Sequence, residues 1–158
     1  MIATVLSWVV IASVAVIYGL GWNLSHPMVA WGRWAFRLAL LALLLGLTLP
    51  ADAIAAVVTF LSQFIPNLGE ISDEPGASFG MHFGLFLSVA ALLLSLRLDK
   101  PLMSLLGPLV ALAFITEGLQ VLIPGRFADW ADVGTNLIGV VLGLCIRGSL
   151  VWFRRGVL

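Results

Sequence analysis

Charge is what this chain has least of. Only 10% of its 158 residues are Asp, Glu, Lys or Arg, where soluble proteins carry about 25%, and a domain of this length folded in water would need more polar surface than that around its core. The charges also balance, eight basic against eight acidic, so there is no basic field of the kind that binds nucleic acid, and that function class is excluded. Cysteine is limited to Cys145, which excludes an intramolecular disulfide and, inside an apolar run, suits packing. Internal repeats, long linkers and low-complexity tracts are missing too. Their lack points to one domain over residues 1–158 and counts against an inverted-repeat transporter. The first apolar run lacks the basic start of a secretion signal and, at about 20 residues, exceeds the roughly 7 to 15 of such a signal's hydrophobic part. It reads as a retained span.

What is present is apolar surface, 61% of all residues, in runs at 2–22, 29–49, 78–96, 102–123 and 133–153. Each is close to the roughly 20 residues that cross a bilayer's hydrocarbon. Segment 51–65, bracketed by Pro50 and Pro66 and interrupted by Asp52, Thr59, Ser62 and Gln63, is too short for a span. It suits an interfacial or re-entrant helix lying over the polar cluster described below. The fold class expected is all-α: a polytopic membrane helix bundle of about five transmembrane helices plus this one. Five of the tryptophans, Trp22, Trp31, Trp34, Trp130 and Trp152, fall near span ends, where amphipathic rings favour the interface. Trp8 needs only packing or lipid contact.

Basic residues collect in cytoplasmic loops. With five spans and the C-terminus inside, Arg33, Arg37, Arg97, Lys100, Arg147, Arg154 and Arg155 all fall on or near the cytoplasmic side, leaving only Arg126 outside. A sixth span over 51–65 would send Arg33 and Arg37 outward. The acidic loop 67–76, with Glu70, Asp73 and Glu74, stays outside either way. The expected placement is multi-pass in a bacterial inner membrane, N-terminus outside and C-terminus cytoplasmic.

Ionisable residues inside a bilayer are expensive and therefore prompt functional hypotheses. Glu117 and Gln120 share one helix face, about 10 Å below Pro124 at the outer end of the fourth span. A loop with Pro124, Gly125, Arg126, Asp129 and Asp132 follows, and the last span opens with Asn136 on the same face as Asp132, Gly139 and Gly143. Those two glycines permit a close helix approach. His82, four residues into the third span, has the same depth as Glu117 and Asn136, so three helices bring polar groups to one level.

This set, from His82 and Phe83 through Glu117, Gln120, Pro124, Gly125, Arg126, Asp129, Asp132 and Asn136 to Gly139 and Gly143, resembles the VanZ-like membrane proteins. The likeness covers roughly the C-terminal half and is most specific between Glu117 and Asn136. The family's Asp-Lys pair ahead of the histidine is replaced here by Ser78 and Phe79. The resemblance implies a small integral membrane protein associated with glycopeptide (teicoplanin) resistance and acting near the outer envelope. It does not imply a reaction.

Each residue also has a purely structural reading. Glu117 could be a hydrogen-bonded carboxyl tying helices together through Gln120 and Asn136. Arg126 could pair with Asp129 and Asp132 to organise a tight loop, and His82 could be a core histidine. No structural metal and no cofactor are expected, because no close His or Cys spacing occurs and His26 belongs to the cytoplasmic side.

Three function classes follow. In the first, the protein binds or modifies an amphipathic envelope molecule, such as a polyprenyl-phosphate-linked sugar or a lipid-like antibiotic. His82 and Glu117 would act as acid, base or hydrogen-bonding groups at the reacting centre, while Gln120, Arg126, Asp132 and Asn136 would bind substrate, with Arg126 meeting an anionic headgroup. The second is a non-catalytic subunit partnered with other membrane subunits, and the third a small transporter.

Overall fold

A computed structural model describes residues 2–65, 70 and 76–156, with side chains within 6–155 of these. Pro66, expected to end the interfacial segment, and Asp73 and Glu74 of the acidic loop lie outside the described residues. Every described element is a helix: α1 (Ile2–Ser25), α2 (Ala30–Thr48), α3 (Ala51–Leu61), α4 (Ala77–Leu96), α5 (Leu102–Gln120) and α6 (Trp130–Gly156). All but α3 are long and apolar enough to cross a membrane. The shortest of these spans, at 19 residues, is about 29 Å long, close to the roughly 30 Å of hydrocarbon.

The spans match the apolar runs, with shifts at the ends that have local causes. α5 stops at Gln120 and continues as turns towards Gly125, which takes the left-handed φ of 74° that a residue without Cβ adopts freely. α6 begins at Trp130, three residues ahead of the apolar run, because Asp129 caps it: its Oδ1 accepts the Ala131 N–H at 2.8 Å, satisfying one of the orphan donors of a helix start.

The short helix α3, 11 residues or about 16 Å, cannot reach across the hydrocarbon. It ends at Leu61 and runs on as turns. It has no buried side chain, its side-chain bonds run from Thr59 to Ala55 O and from Ser62 to Thr59 O, and its first residue, Ala51, lies beside Gly125. Its apolar residues Val57 and Phe60 are exposed, which suits contact with lipid at the interface.

The core lies among α2, α4, α5 and α6. Buried residues recur three and four apart on α2 (Phe36, Leu40, Leu43, Leu44, Leu47), on α4 (Phe86, Val89, Ala90, Leu93, Leu94) and on α5 (Leu105, Leu109, Leu112, Ala113), so one stripe of each helix faces its neighbours. The closest pair is α4 with α6. A Cβ on Gly139 would stand 2.8 Å from the Leu87 backbone nitrogen, and one on Gly143 would stand 2.7 Å from Ala90 Cβ. The glycine seam read from the sequence thus meets α4 backbone to backbone, the contact that substitutes for a hydrophobic driving force inside lipid.

Arginines tie the bundle at the end formed by the α1, α4 and α6 C-terminal turns and the α2 start. Arg147 donates to Leu94 O at 2.9 Å, Arg97 O at 3.1 Å and Lys100 O at 3.1 Å, placing a cation on the negative end of the α4 dipole. Arg97 chelates Asp99 with bonds of 2.8 and 2.9 Å and donates to Leu24 O of α1. The hydrogen bonds from Arg97, and after them its charge, hold the exposed Asp99 carboxyl below the usual carboxylate range. Arg37 is buried with its guanidinium 3.3 Å from the Trp22 ring centroid and its Nε bonded to Ser25 Oγ at 2.8 Å, so aromatic face and hydroxyl take the place of a carboxylate.

Candidate functional site

The buried stripes of α4, α5 and α6 do not end in apolar residues at the opposite end of the bundle. On α4 the stripe Leu93, Val89, Phe86 continues one turn on to His82. On α5, Leu109 and Ala113 lead to Glu117 and Gln120, and on α6 the Gly143–Gly139 face leads to Asn136. Each of these polar side chains is 3% exposed or less, so the helical period that builds the core also turns them inward, where bonding to one another is the alternative to an unsatisfied polar group.

They meet. His82 Nδ1 lies 3.2 Å from Asn136 Oδ1 and 3.4 Å from Glu117 Oε1. The Glu117 Oε1 accepts from Gln120 Nε2 at 3.3 Å and from Asn136 Nδ2 at 3.4 Å, and its Oε2 accepts the Asp129 N–H at 3.5 Å. Across the imidazole, His82 Nε2 faces Asp132 Oδ2 at 3.6 Å. The close approach of α6 at Gly139 explains the contact between helices: Asn136 is one turn from Gly139 and His82 one turn from Phe86, so the seam sets the separation at which amide and imidazole meet.

Five of the six residues read from the sequence as a site, His82, Glu117, Gln120, Asp132 and Asn136, are therefore brought together. The sixth, Arg126, sits beside them with a different task. Its Nη2 donates to Gly46 O at 2.7 Å and its Nε to Leu49 O at 3.3 Å, which caps the C-terminal turn of α2 and places a cation on that end of the helix dipole. Burial pushes its guanidinium below the ordinary arginine value while the charges of Glu117 and Asp132 push it back up; it remains a cation. Among the described residues Arg126 forms no ion pair within 4.0 Å, so the loop is held by main-chain carbonyls of α2 and not by Asp129 or Asp132.

Sequence reasoning passed over the capping role of Asp129, which fixes the start of α6 and, through its N–H, one oxygen of Glu117. The signal was an Asp directly before a helical run. It also passed over Thr116 and Thr135, both buried, whose hydroxyls bond back to Leu112 O at 2.9 Å and Ala131 O at 2.9 Å; these return their polar groups to their own helices and leave the cluster to its five members.

A cleft of about 230 Å³ opens beside the cluster, lined by Phe114, Glu117, Gly118, Ala128, Asp129, Trp130 and Val133. Phe114 and Trp130 are exposed on its flanks, giving apolar walls with a carboxylate between them. One ligand atom each from His82, Glu117 and Asp132 lie within 4.8 Å of one another, a trio that residue spacing along the chain could not reveal because each comes from a different helix. Comparisons with family models, curated proteins and solved structures found no match to this chain.

Proposed function

We propose that the protein binds or modifies an amphipathic cell-envelope lipid or lipid-linked molecule at the outer leaflet of a bacterial inner membrane, in keeping with its resemblance to the VanZ-like proteins. One observation carries this reading: Glu117 belongs both to the buried hydrogen-bonded cluster and to the wall of the cleft between α5 and α6, whose Phe114 and Trp130 sides suit an acyl or isoprenoid chain. A polar headgroup lodged there would meet a carboxylate whose orientation is preset by Gln120, Asn136 and Asp129, and His82 lies behind it as a proton donor or acceptor. Arg126, whose Nε and Nη2 are engaged with Leu49 O and Gly46 O, would act on an anionic group through its charge and not through those donors. Gln120 and Asn136 act by positioning Glu117 and His82.

A second reading, a non-catalytic subunit of a larger membrane complex, is favoured by the bonds that Glu117 accepts from Gln120, Asn136 and the Asp129 N–H. Among the described residues the buried side-chain polar atoms without a partner are Arg33 Nε and Arg37 Nη2, both on α2 near its start and away from the cluster. Native mass spectrometry of the detergent-extracted protein separates the two. The first reading expects a co-purifying anionic amphiphile that Glu117→Gln removes. A stoichiometric protein partner, with no amphiphile displaced by that substitution, would replace it with the second.

The orientation belongs to the same proposal and rests on the arginine bias. In a Cys145→Ser background, a single cysteine placed at Ser72 should be labelled by an impermeant maleimide from the outer side of intact cells, and one placed at Asp99 only after the inner face is exposed. The reverse pattern would overturn the topology and move the cleft to the inner leaflet.

A further inference from the structure

We infer that His82, Glu117 and Asp132 form a binding site for a divalent transition-metal ion, with Zn²⁺ the best fit to the donor set. The hydrogen bonds of Asn136 decide the tautomer of His82. Asn136 gives its Nδ2 to Glu117 Oε1 at 3.4 Å, so the atom facing His82 Nδ1 at 3.2 Å is its Oδ1, which only accepts. The Nδ1 therefore carries a hydrogen and donates it. In the neutral ring Nε2 is then a bare lone pair, and it points at Asp132 Oδ2, another acceptor, 3.6 Å away. Two acceptors confronting each other at the rim of the cluster, where the Asp132 side chain is 22% exposed, want an electropositive centre between them. A shared proton would serve only if the pair closed from 3.6 Å to hydrogen-bonding distance.

A metal ion is within reach of this spacing. Two ligands about 2.1 Å from a tetrahedral zinc stand about 3.4 Å apart; one ligand atom each from His82, Glu117 and Asp132 lie within 4.8 Å of one another, so the side chains close on the ion, Asp132 from 3.6 Å off Nε2 and Glu117 from its place 3.4 Å off Nδ1. The surroundings also match what metal-binding histidines require: the ring nitrogen not used for the metal donates to a fixed acceptor, here Asn136, and the ligating carboxylate is itself hydrogen-bonded, here Glu117 by Gln120 and the Asp129 N–H. One imidazole with two carboxylates selects zinc or a neighbouring first-row ion over Mg²⁺ and Ca²⁺, which take six or more oxygens. Arg126 is the opposing feature, since its charge is felt by Glu117 and Asp132. Its Nε and Nη2 nevertheless point at the α2 carbonyls and not at the trio.

The site stands whether or not an amphiphile binds in the adjoining cleft, and its test reads metal alone. The full chain, carrying a tag without histidine, is extracted in detergent, stripped with a chelator and titrated calorimetrically with Zn²⁺. Uptake of one ion per chain is expected, weakened at least roughly tenfold by His82→Gln and by Asp132→Asn and unchanged by His26→Ala at the other end of the bundle. Co²⁺ should give visible d–d absorption that the same two variants abolish. Asp132 is at the rim of the cluster with a side chain 22% exposed, so Asp132→Asn decides the matter if His82→Gln does not fold. Absence of stoichiometric uptake, or uptake indifferent to Asp132→Asn, overturns the site. So does a nitrogen NMR signature of His82 protonated at both ring nitrogens in zinc-treated protein, which would make the trio an imidazolium held between two carboxylates.

Discussion

Gly143→Ala and Gly139→Ala should each destabilise the protein, although alanine is the better helix former. The added methyl would lie 2.7 Å from Ala90 Cβ and 3.0 Å from the Ala90 backbone carbon at one position, and 2.8 Å from the Leu87 nitrogen at the other. Neither backbone can step aside without moving α4. Overpacking of this kind costs about 1–3 kcal/mol, which outweighs the roughly 1 kcal/mol that Gly to Ala contributes within a helix, and valine at either place should prevent the helices from docking. On the same helix, a methyl added at Gly148 would find nothing within 4 Å, so Gly148→Ala should be neutral or stabilising by up to about 1 kcal/mol. Thermal unfolding in detergent checks the set. Equal behaviour of the substitutions at 143 and 148 would show that α6 does not pack on α4 through this seam. Because the seam also sets the distance between Asn136 and His82, the Gly139 variant should impair the candidate site as well.

Glu117 should separate folding from function. Glu117→Gln keeps the shape of the side chain and an acceptor for Gln120 and Asn136, so the protein should accumulate in the membrane with a melting temperature near that of the parent. It removes the anionic acceptor and puts an amide where the Asp129 N–H now finds Oε2. Hydrogen bonds involving a charged group contribute about 1.5–3 kcal/mol, so binding of the proposed amphiphile should weaken by roughly 10-fold or more. Glu117→Leu differs. It strands the amides of Gln120 and Asn136, buried to 2% and 0% exposure, at about 1–3 kcal/mol for each unsatisfied group, and folded protein should be lost. Unchanged amphiphile binding by a well-folded Glu117→Gln protein removes this carboxylate from any functional role. A stable Glu117→Leu protein would show that the cluster does not hold the helices together.

The helices themselves were legible because hydrocarbon thickness imposes a length on every span. Runs of about 20 apolar residues can hardly be anything else, and Pro50, Asp52 and the brevity of 51–65 marked α3 as different. The ends were less so. α6 starts at Trp130 because Asp129 caps it, and α5 stops at Gln120 ahead of the Gly125 turn, both local hydrogen-bonding choices finer than a hydropathy window.

The depth of every polar residue follows from residue number alone, since helical rise converts position along a span into distance from its end; His82, Glu117 and Asn136 were placed at one level on that ground. That Gly139 and Gly143 face a neighbour follows in the same way, since both lie on one stripe. Packing, by contrast, settled that this neighbour is α4, that α6 therefore slides close enough for Asn136 to reach both His82 and Glu117, and that Arg126 directs its donors to Gly46 and Leu49. The reason is physical. Depth and face follow from the regular geometry of a single helix, whereas the partner across an interface depends on which stripes pack together, and a backbone carbonyl that accepts an arginine looks the same in every residue of the chain.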